Sequence, residues 1–228
     1  MPVTSTGAPP SWSDGAWQAV RPIYDAILEH PFVVQLRSGE LDREVFFRYL
    51  LDDARYLAGY ARALALVATR LPETADVAVM SRSAAGAVDA ERILHSTLLG
   101  EHGIDADAPG ESTPTCRHYV SSLIADAATE PVEVSVAAVL PCFRIYAEVG
   151  AAISAGTDGD HPYAAWIATY ADPDFAAVVR EVEALADRLA ARGADDVVQR
   201  MLPAYVRSTR LEWMFWDAAW RGEEWPAI

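Results

Sequence analysis

Apolar residues along the chain recur every three to four positions, the period of helices that bury one face. Trp17, Val20, Tyr24 and Ile27 form one such stripe, and Ser13 or Asp14 is placed to cap a first helix running towards His30. Pro22 falls inside that stretch and marks a kink or a restart; the turn His30-Pro31 ends it. Asp42 caps a long second helix, with Glu44 in a first turn where the helix dipole favours an anion. Phe46, Leu50, Asp53, Tyr56, Leu57 and Tyr60 recur along it at helical spacing, and Pro72 stops it after Leu71. Residues 73–100 form the next helical stretch, ended near Gly100 and Gly103. The loop DADAPGESTPT follows, where Thr113-Pro114 reads as a cap with proline in the first turn. Further helices reach to about Ala127, from Pro131 to about Ser154, and across Trp166 and Tyr170. Two more run from about Asp174 to Arg192 and from about Asp195 to Arg221, with Pro203 as a bend in the last. Strand alternation bounded by hairpin turns is nowhere evident, and no repeat or linker divides the chain. The expected fold is all-α, a single domain over residues 11–228 behind a disordered tail at 1–10.

Composition narrows the function. With 52% hydrophobic and 22% charged residues, the 228-residue chain can fill a substantial core. Eighteen basic residues against 33 acidic ones give a net charge of −15, a surface that repels phosphate backbones and excludes nucleic acid as a partner. Every basic residue is arginine, so Schiff-base catalysis by a lysine is excluded. Asparagine is absent as well, which removes any N-glycosylation sequon. Cys116 and Cys142 are too few for a disulfide scaffold. The opening MPVTSTGAPPSWSDG lacks the basic start and apolar stretch of a secretory signal, and no run approaches about 18 uninterrupted apolar residues. A soluble cytoplasmic protein with no membrane partner is expected.

Polar groups set on apolar helical stripes are the informative anomalies. Asp53 and Tyr56, at i and i+3, share a face with Leu57 and Tyr60, so the carboxylate faces the interior, as a ligand-binding group or bonded to a tyrosine or helix end. Asp52 next to it can pair outward with Arg55 as a solvated ion pair. In VSVAAVLPCFRIYAEVG, Pro141 removes an amide donor and crowds the Ala137 carbonyl, which opens space beside Cys142; Tyr146, at i+4, points the same way. The thiol is a nucleophile if its thiolate is stabilised, and otherwise a small buried hydrophobe. Glu212 stands with Phe215 and Trp216 at i, i+3 and i+4. Burial there would raise its pKa and suit it to acid/base work; the alternative is an ion pair with Arg207, Arg210 or Arg221. Glu91 and His95 share a helical face near His102, but the Glu-x-x-His pair of helical di-iron proteins is absent. His30, His118 and His161 fall at helix ends or loops as caps. No metal and no cofactor are expected, and no phosphate loop or dinucleotide fingerprint occurs.

Several segments in order, HPFVVQL, FFRYLLDDARYLAGYAR, DAERILHSTL, PTCRHYVSSL, LPCFRIYAEVG, HPYAAWIATY and LEWMFWDAAW, resemble the TenA family (thiaminase II, or aminopyrimidine aminohydrolase) over residues 30–220. The resemblance implies a haem-oxygenase-like helical bundle without haem, assembled as a homo-oligomer, a tetramer or a dimer. It also implies a small pyrimidine substrate from thiamin salvage. Matched to the family's motifs, Cys142 is the nucleophile of the cysteine-containing branch, Asp53 the substrate-binding aspartate and Glu212 the catalytic glutamate. The binding tyrosines fall on Tyr56, Tyr119, Tyr146 and Tyr170, and the stacking phenylalanine on Phe215. Departures are Asp52, where members often carry Gln, and Arg55 and Arg144, where an aromatic is frequent; Cys116 is an extra thiol. Arg144, two residues from Cys142, is expected on the surface or at a subunit contact. Two other readings keep the fold: an enzyme acting on a different amine-bearing heterocycle, and a non-catalytic binding or regulatory protein.

Overall fold

Side-chain caps set where most of the helices begin, and the caps differ in detail from those expected. In the computed structural model, which describes residues 10–93, 111–156 and 160–227, α1 spans Trp12–Leu28 and its cap is Ser11, whose side chain accepts the Asp14 amide at 3.2 Å. Ser13 is unavailable for that task because its amide and hydroxyl both donate to Asp187, at 2.8 and 3.0 Å. His30 ends α1 and starts another helix that the sequence pattern did not signal. Its Nδ1 accepts the Phe32 amide at 3.2 Å, Pro31 occupies the first turn of α2 (Pro31–Ser38), and Gly39 closes it in the left-handed conformation at φ 76°. Eight residues are too few for a periodic stripe to be visible.

Asp42 caps α3 (Arg43–Ala68) through the Glu44 and Val45 amides. After α4 (Thr74–Ile93), Thr113 caps α5 (Pro114–Thr129) by accepting the Cys116 amide. The remaining helices are α6 (Val132–Ser154), α7 (Ala164–Tyr170), α8 (Pro173–Arg192) and α9 (Asp195–Arg221). α1, α6 and α9 each run through Pro22, Pro141 and Pro203 as one element, so the restart allowed at Pro22 does not occur. Packing on several sides outweighs one lost backbone bond per helix. No strand occurs among the described residues, and the expected tail at 1–10 lies outside them apart from Pro10.

Helix α6 is the axis of the bundle. It packs against α3, α5, α7, α8 and α9. Its length and mean hydropathy of 1.6 would also suit a membrane span, but 72% of its most apolar window is buried by these neighbours, so it is a core helix. A knot of aromatic side chains fills the space beside it. Tyr49 lies flat on Trp216 at 5.1 Å and 9°, with Phe32 and Trp166 packed around the pair. Such pairs contribute about 0.5–1.5 kcal/mol each beyond the area they bury. This knot forms the floor on which the functional groups stand.

Candidate active site

Three helices that meet at the core bring together polar side chains from distant parts of the sequence. α3 supplies Asp53, Tyr56 and Tyr60, α6 supplies Cys142 and Tyr146, and α9 supplies Glu212 and Phe215. A cavity of about 260 Å³ opens beside α3 and α6, walled by Asp53, Tyr56, Tyr60, Cys142, Tyr146 and, from α7, Tyr170, with α4 and α8 completing it. α7 approaches this closely because Gly150 carries no side chain; a Cβ there would lie 2.6 Å from the Tyr170 carbonyl carbon.

Two of the wall's polar atoms have no hydrogen-bond partner among the described residues. Oδ2 of Asp53 and the hydroxyl of Tyr56 are both buried and unpaired, a costly arrangement unless a ligand completes it. Cys142 is 8% exposed and reaches the same space. Sequence reasoning placed Asp53, Tyr56, Cys142, Tyr146 and Tyr170 in one site, and all five meet here.

Glu212, Tyr119 and Phe215 stand behind the wall rather than in it. Tyr119 on α5 donates to Oε1 of Glu212 at 2.6 Å. Its ring lies 4.8 Å from that of Tyr56, and the Phe215 ring lies 5.6 Å from that of Tyr56. The Glu212 charge is nonetheless felt by the Cys142 thiol. The ion-pair alternative for Glu212 fails, since Arg207 pairs with Asp126 and Arg221 with Asp217.

Electrostatics follow from burial. Asp53, 1% exposed, is pushed up to about 8, first by loss of water, then by the charge of Asp52; contact with Tyr49 opposes the rise. Glu212, equally buried, also rises to about 8, through desolvation; the Tyr119 hydroxyl opposes it and the Asp53 charge adds to it. Both carboxyls are thus mostly protonated at neutral pH. Burial and the Glu212 charge hold the Cys142 thiol well above its ordinary value, against the Tyr56 and Tyr60 hydroxyls beside it. A carboxyl that protonates therefore favours the thiolate, so the three groups titrate as a set.

Several neighbouring residues depart from expectation. Asp52 is buried rather than solvated: it accepts the Thr113 hydroxyl at 2.6 Å and amide at 3.2 Å, besides Arg55 at 3.3 Å. Arg144 is partly exposed; it pairs with Glu183 and Glu148 and lies 4.8 Å over the Trp17 ring. Those carboxylates on α8 and one turn along α6 draw it inward. Cys116 is fully buried, donating to the Asp52 carbonyl at 3.5 Å, and its thiol is pushed up by burial, away from the cavity. His118 is not at a helix end but exposed within α5; His30 does cap, accepting the Phe32 amide, and His161 accepts the Tyr163 amide in the turn before α7 without capping it. The side chain of Glu91, with His95 and His102, lies outside the described residues. Tyr49 escaped notice in the sequence although it stands at i−4 from Asp53; its hydroxyl donates to Tyr146 at 3.1 Å and ties the α3 and α6 walls together.

Known proteins share this arrangement of helices. The chain is 33% identical over 207 residues to the thiamine biosynthesis multifunctional protein ThiED of Corynebacterium efficiens, matching 90% of this chain but 28% of that protein, so it spans about a quarter of its length. It is 30% identical to the aminopyrimidine aminohydrolase of Bacillus subtilis, covering 86% of this chain and 84% of that one. The solved TenA homologue from P. horikoshii OT3 superposes with a TM-score of 0.84 at 29% identity, over 93% of this chain and all of its own. A haem-oxygenase-like domain from Shewanella denitrificans superposes at 0.71 over 90% of each chain; at 17% identity it shows the fold alone. With residues 17–222 matched end to end, the chain belongs to the TENA/THI-4/PQQC family.

Proposed function

We propose that the protein is an aminopyrimidine aminohydrolase of thiamin salvage. It converts 4-amino-5-aminomethyl-2-methylpyrimidine to the hydroxymethyl pyrimidine and ammonia, and cleaves thiamin to pyrimidine and thiazole. The observation that carries this reading is the pair of unpaired buried atoms, Asp53 Oδ2 and the Tyr56 hydroxyl, on residues that line the same cavity as Cys142. A flat ring with nitrogen donors and acceptors at its edge completes both atoms, while Tyr56, Tyr146 and Tyr170 offer their faces to it.

Chemistry then follows from the protonation states. Asp53, neutral at pH 7, gives its proton to a ring nitrogen and makes the ring electron-poor. Cys142 sulfur adds to a ring carbon as its thiol proton passes to the Asp53 carboxylate so formed, and the ring's electrons expel the amine from the exocyclic methylene. Glu212, also neutral at pH 7, gives that amine its proton. As a carboxylate it then takes a proton from the water that adds to the methylene, and the carbon–sulfur bond breaks as the sulfur recovers its proton from Asp53, which takes back the ring's. Covalent addition divides one hard displacement into two easier steps, and proton transfer from a placed carboxyl adds about 10²- to 10⁴-fold. Tyr119 holds the Glu212 carboxyl in place, and Phe215 packs against Tyr56.

The same reading places the protein in the cytoplasm as a homo-oligomer, a tetramer or a dimer. Ammonia release from the aminopyrimidine tests the activity. A parallel thermal-shift screen of pyrimidine analogues reports the preferred ring, since a ligand at 100 times its Kd adds about 2.7 kcal/mol of stability. Ammonia release together with stabilisation by the hydroxymethyl pyrimidine supports the assignment. Stabilisation by another amine-bearing heterocycle alone would reassign the substrate.

A further inference from the structure

Helices α4 and α8 run antiparallel along one seam, and a row of ion pairs laces them. Glu73 meets Arg192 at 3.6 Å, Asp76 meets Arg188 at 2.5 Å, and Arg82 meets Glu181 at 3.0 Å. Going on along α4, the row stops. The next positions are Gly86, Ala87 and Ala90, which face Phe175 and Val178 with no charge to tie them, and all five line the Cys142 cavity. At Gly86 there is open space: a Cβ built there would meet nothing within 4 Å. Arg82 and Glu181 themselves line the cavity and are more than half exposed, so the last tie of the seam lies where the cavity meets solvent.

Among the described residues, the exposed part of the cavity lining is Arg82, Gly86 and Glu181 on this seam and Thr169 at the end of α7, whereas Asp53, Cys142, Tyr146 and Tyr170 are buried. A solute reaching the sulfur crosses this exposed lining, most of which is the seam. We infer that small molecules enter and leave the Cys142 cavity between α4 and α8 at Gly86, and that the Arg82–Glu181 pair is the latch on this passage. The inference concerns access to the site of the proposed reaction, but it does not require that reaction to occur. The latch is of a kind that opens easily. An exposed arginine–carboxylate pair contributes about 0–1 kcal/mol, equivalent to at most about a fivefold change in the closed-to-open ratio, and salt screens it.

Alkylation of Cys142 by iodoacetamide, a neutral reagent, measures access without any turnover. The extent is read by mass spectrometry of the Cys142 peptide at fixed pH and rising NaCl. Arg82→Ala is expected to label about two- to fivefold faster than the unmutated protein at low salt, and to lose the acceleration that about 0.5 M NaCl gives the unmutated protein. Arg82→Lys restores most of the latch. Gly86→Leu, which fills open space rather than displacing a neighbour, slows labelling in all conditions. Arg192→Ala breaks an equivalent pair at the far end of the seam and leaves the rate unchanged. The inference fails if Arg82→Ala labels at the unmutated rate, if Arg192→Ala accelerates labelling as much as Arg82→Ala does, or if Gly86→Leu has no effect. The pH dependence of labelling, followed in each variant, separates access from any change in the thiol's own pKa. If ammonia release is absent while these rates behave as expected, the passage stands and only the proposed reaction falls.

Discussion

Tyr119 donates a 2.6 Å hydrogen bond to Glu212 across the α5–α9 interface, and the two residues are 93 positions apart in the chain. The bond opposes the burial that raises the Glu212 carboxyl to about 8. It also ties that carboxyl to the α5 helix.

Removing the bond tests its role. In Tyr119→Phe the charged form of Glu212 loses its donor, so the pKa rises further above 8. In the proposed reaction Glu212 acts as an acid when protonated, so the basic limb of the kcat profile is expected to move to higher pH. A loosely held carboxyl lowers the plateau rate at the same time. Ammonia release measured across the pH range reports both; a basic limb that stays in place would separate Glu212 from the proton transfer.

Stability should carry the signature of the two buried carboxyls. Asp53 and Glu212 have folded-state values near 8, above their ordinary values of 3.8 and 4.5. Their stabilising contribution is therefore fully present below the unfolded values, at about pH 4, and is lost as pH rises through about 8. Asp53→Asn keeps the neutral shape and removes one of these penalties. Its melting temperature relative to the unmutated protein is expected to climb steadily from about pH 5 to 9. A difference that stays flat with pH would mean that Asp53 ionises normally.

Gly150 sets how near α7 comes to the cavity. Its missing side chain lets the Tyr170 backbone pack against α6, and a Cβ would stand 2.6 Å from the Tyr170 carbonyl carbon and 2.8 Å from its oxygen. Gly150→Ala is expected to cost about 1–3 kcal/mol in urea unfolding and to raise KM as Tyr170 moves off the ring face. Backbone cannot rotate out of the way as a side chain can, so full stability in this variant would contradict the packing described.

Much of this was legible in the chain. The stripe on α3 marked Asp53 as an interior acid, because an apolar stripe turns away from water, whereas the spacing on α9 left Glu212 either buried or paired with an arginine. Pro141 beside Cys142 marked the gap that the cavity occupies, although α6 passes through the proline as one helix. What the sequence hid were relations between helices. Asp52 looked solvated on its own helix, and only the arrival of Thr113 from α5 shows it to be buried. Glu212 offered three nearby arginines as partners, whereas the actual partner comes from a different helix. Helical period fixes which face is buried; it does not say which other face arrives to meet it.

The account rests on sulfur adding to the ring, and ammonia release by Cys142→Ser measures this most directly. Serine keeps the shape of the cavity and the placement of Asp53 and Glu212 while removing the nucleophile. Turnover of the aminopyrimidine is expected to fall by about 10³-fold or more, with the pyrimidine still bound. Turnover at the unmutated rate would contradict the role given to Cys142.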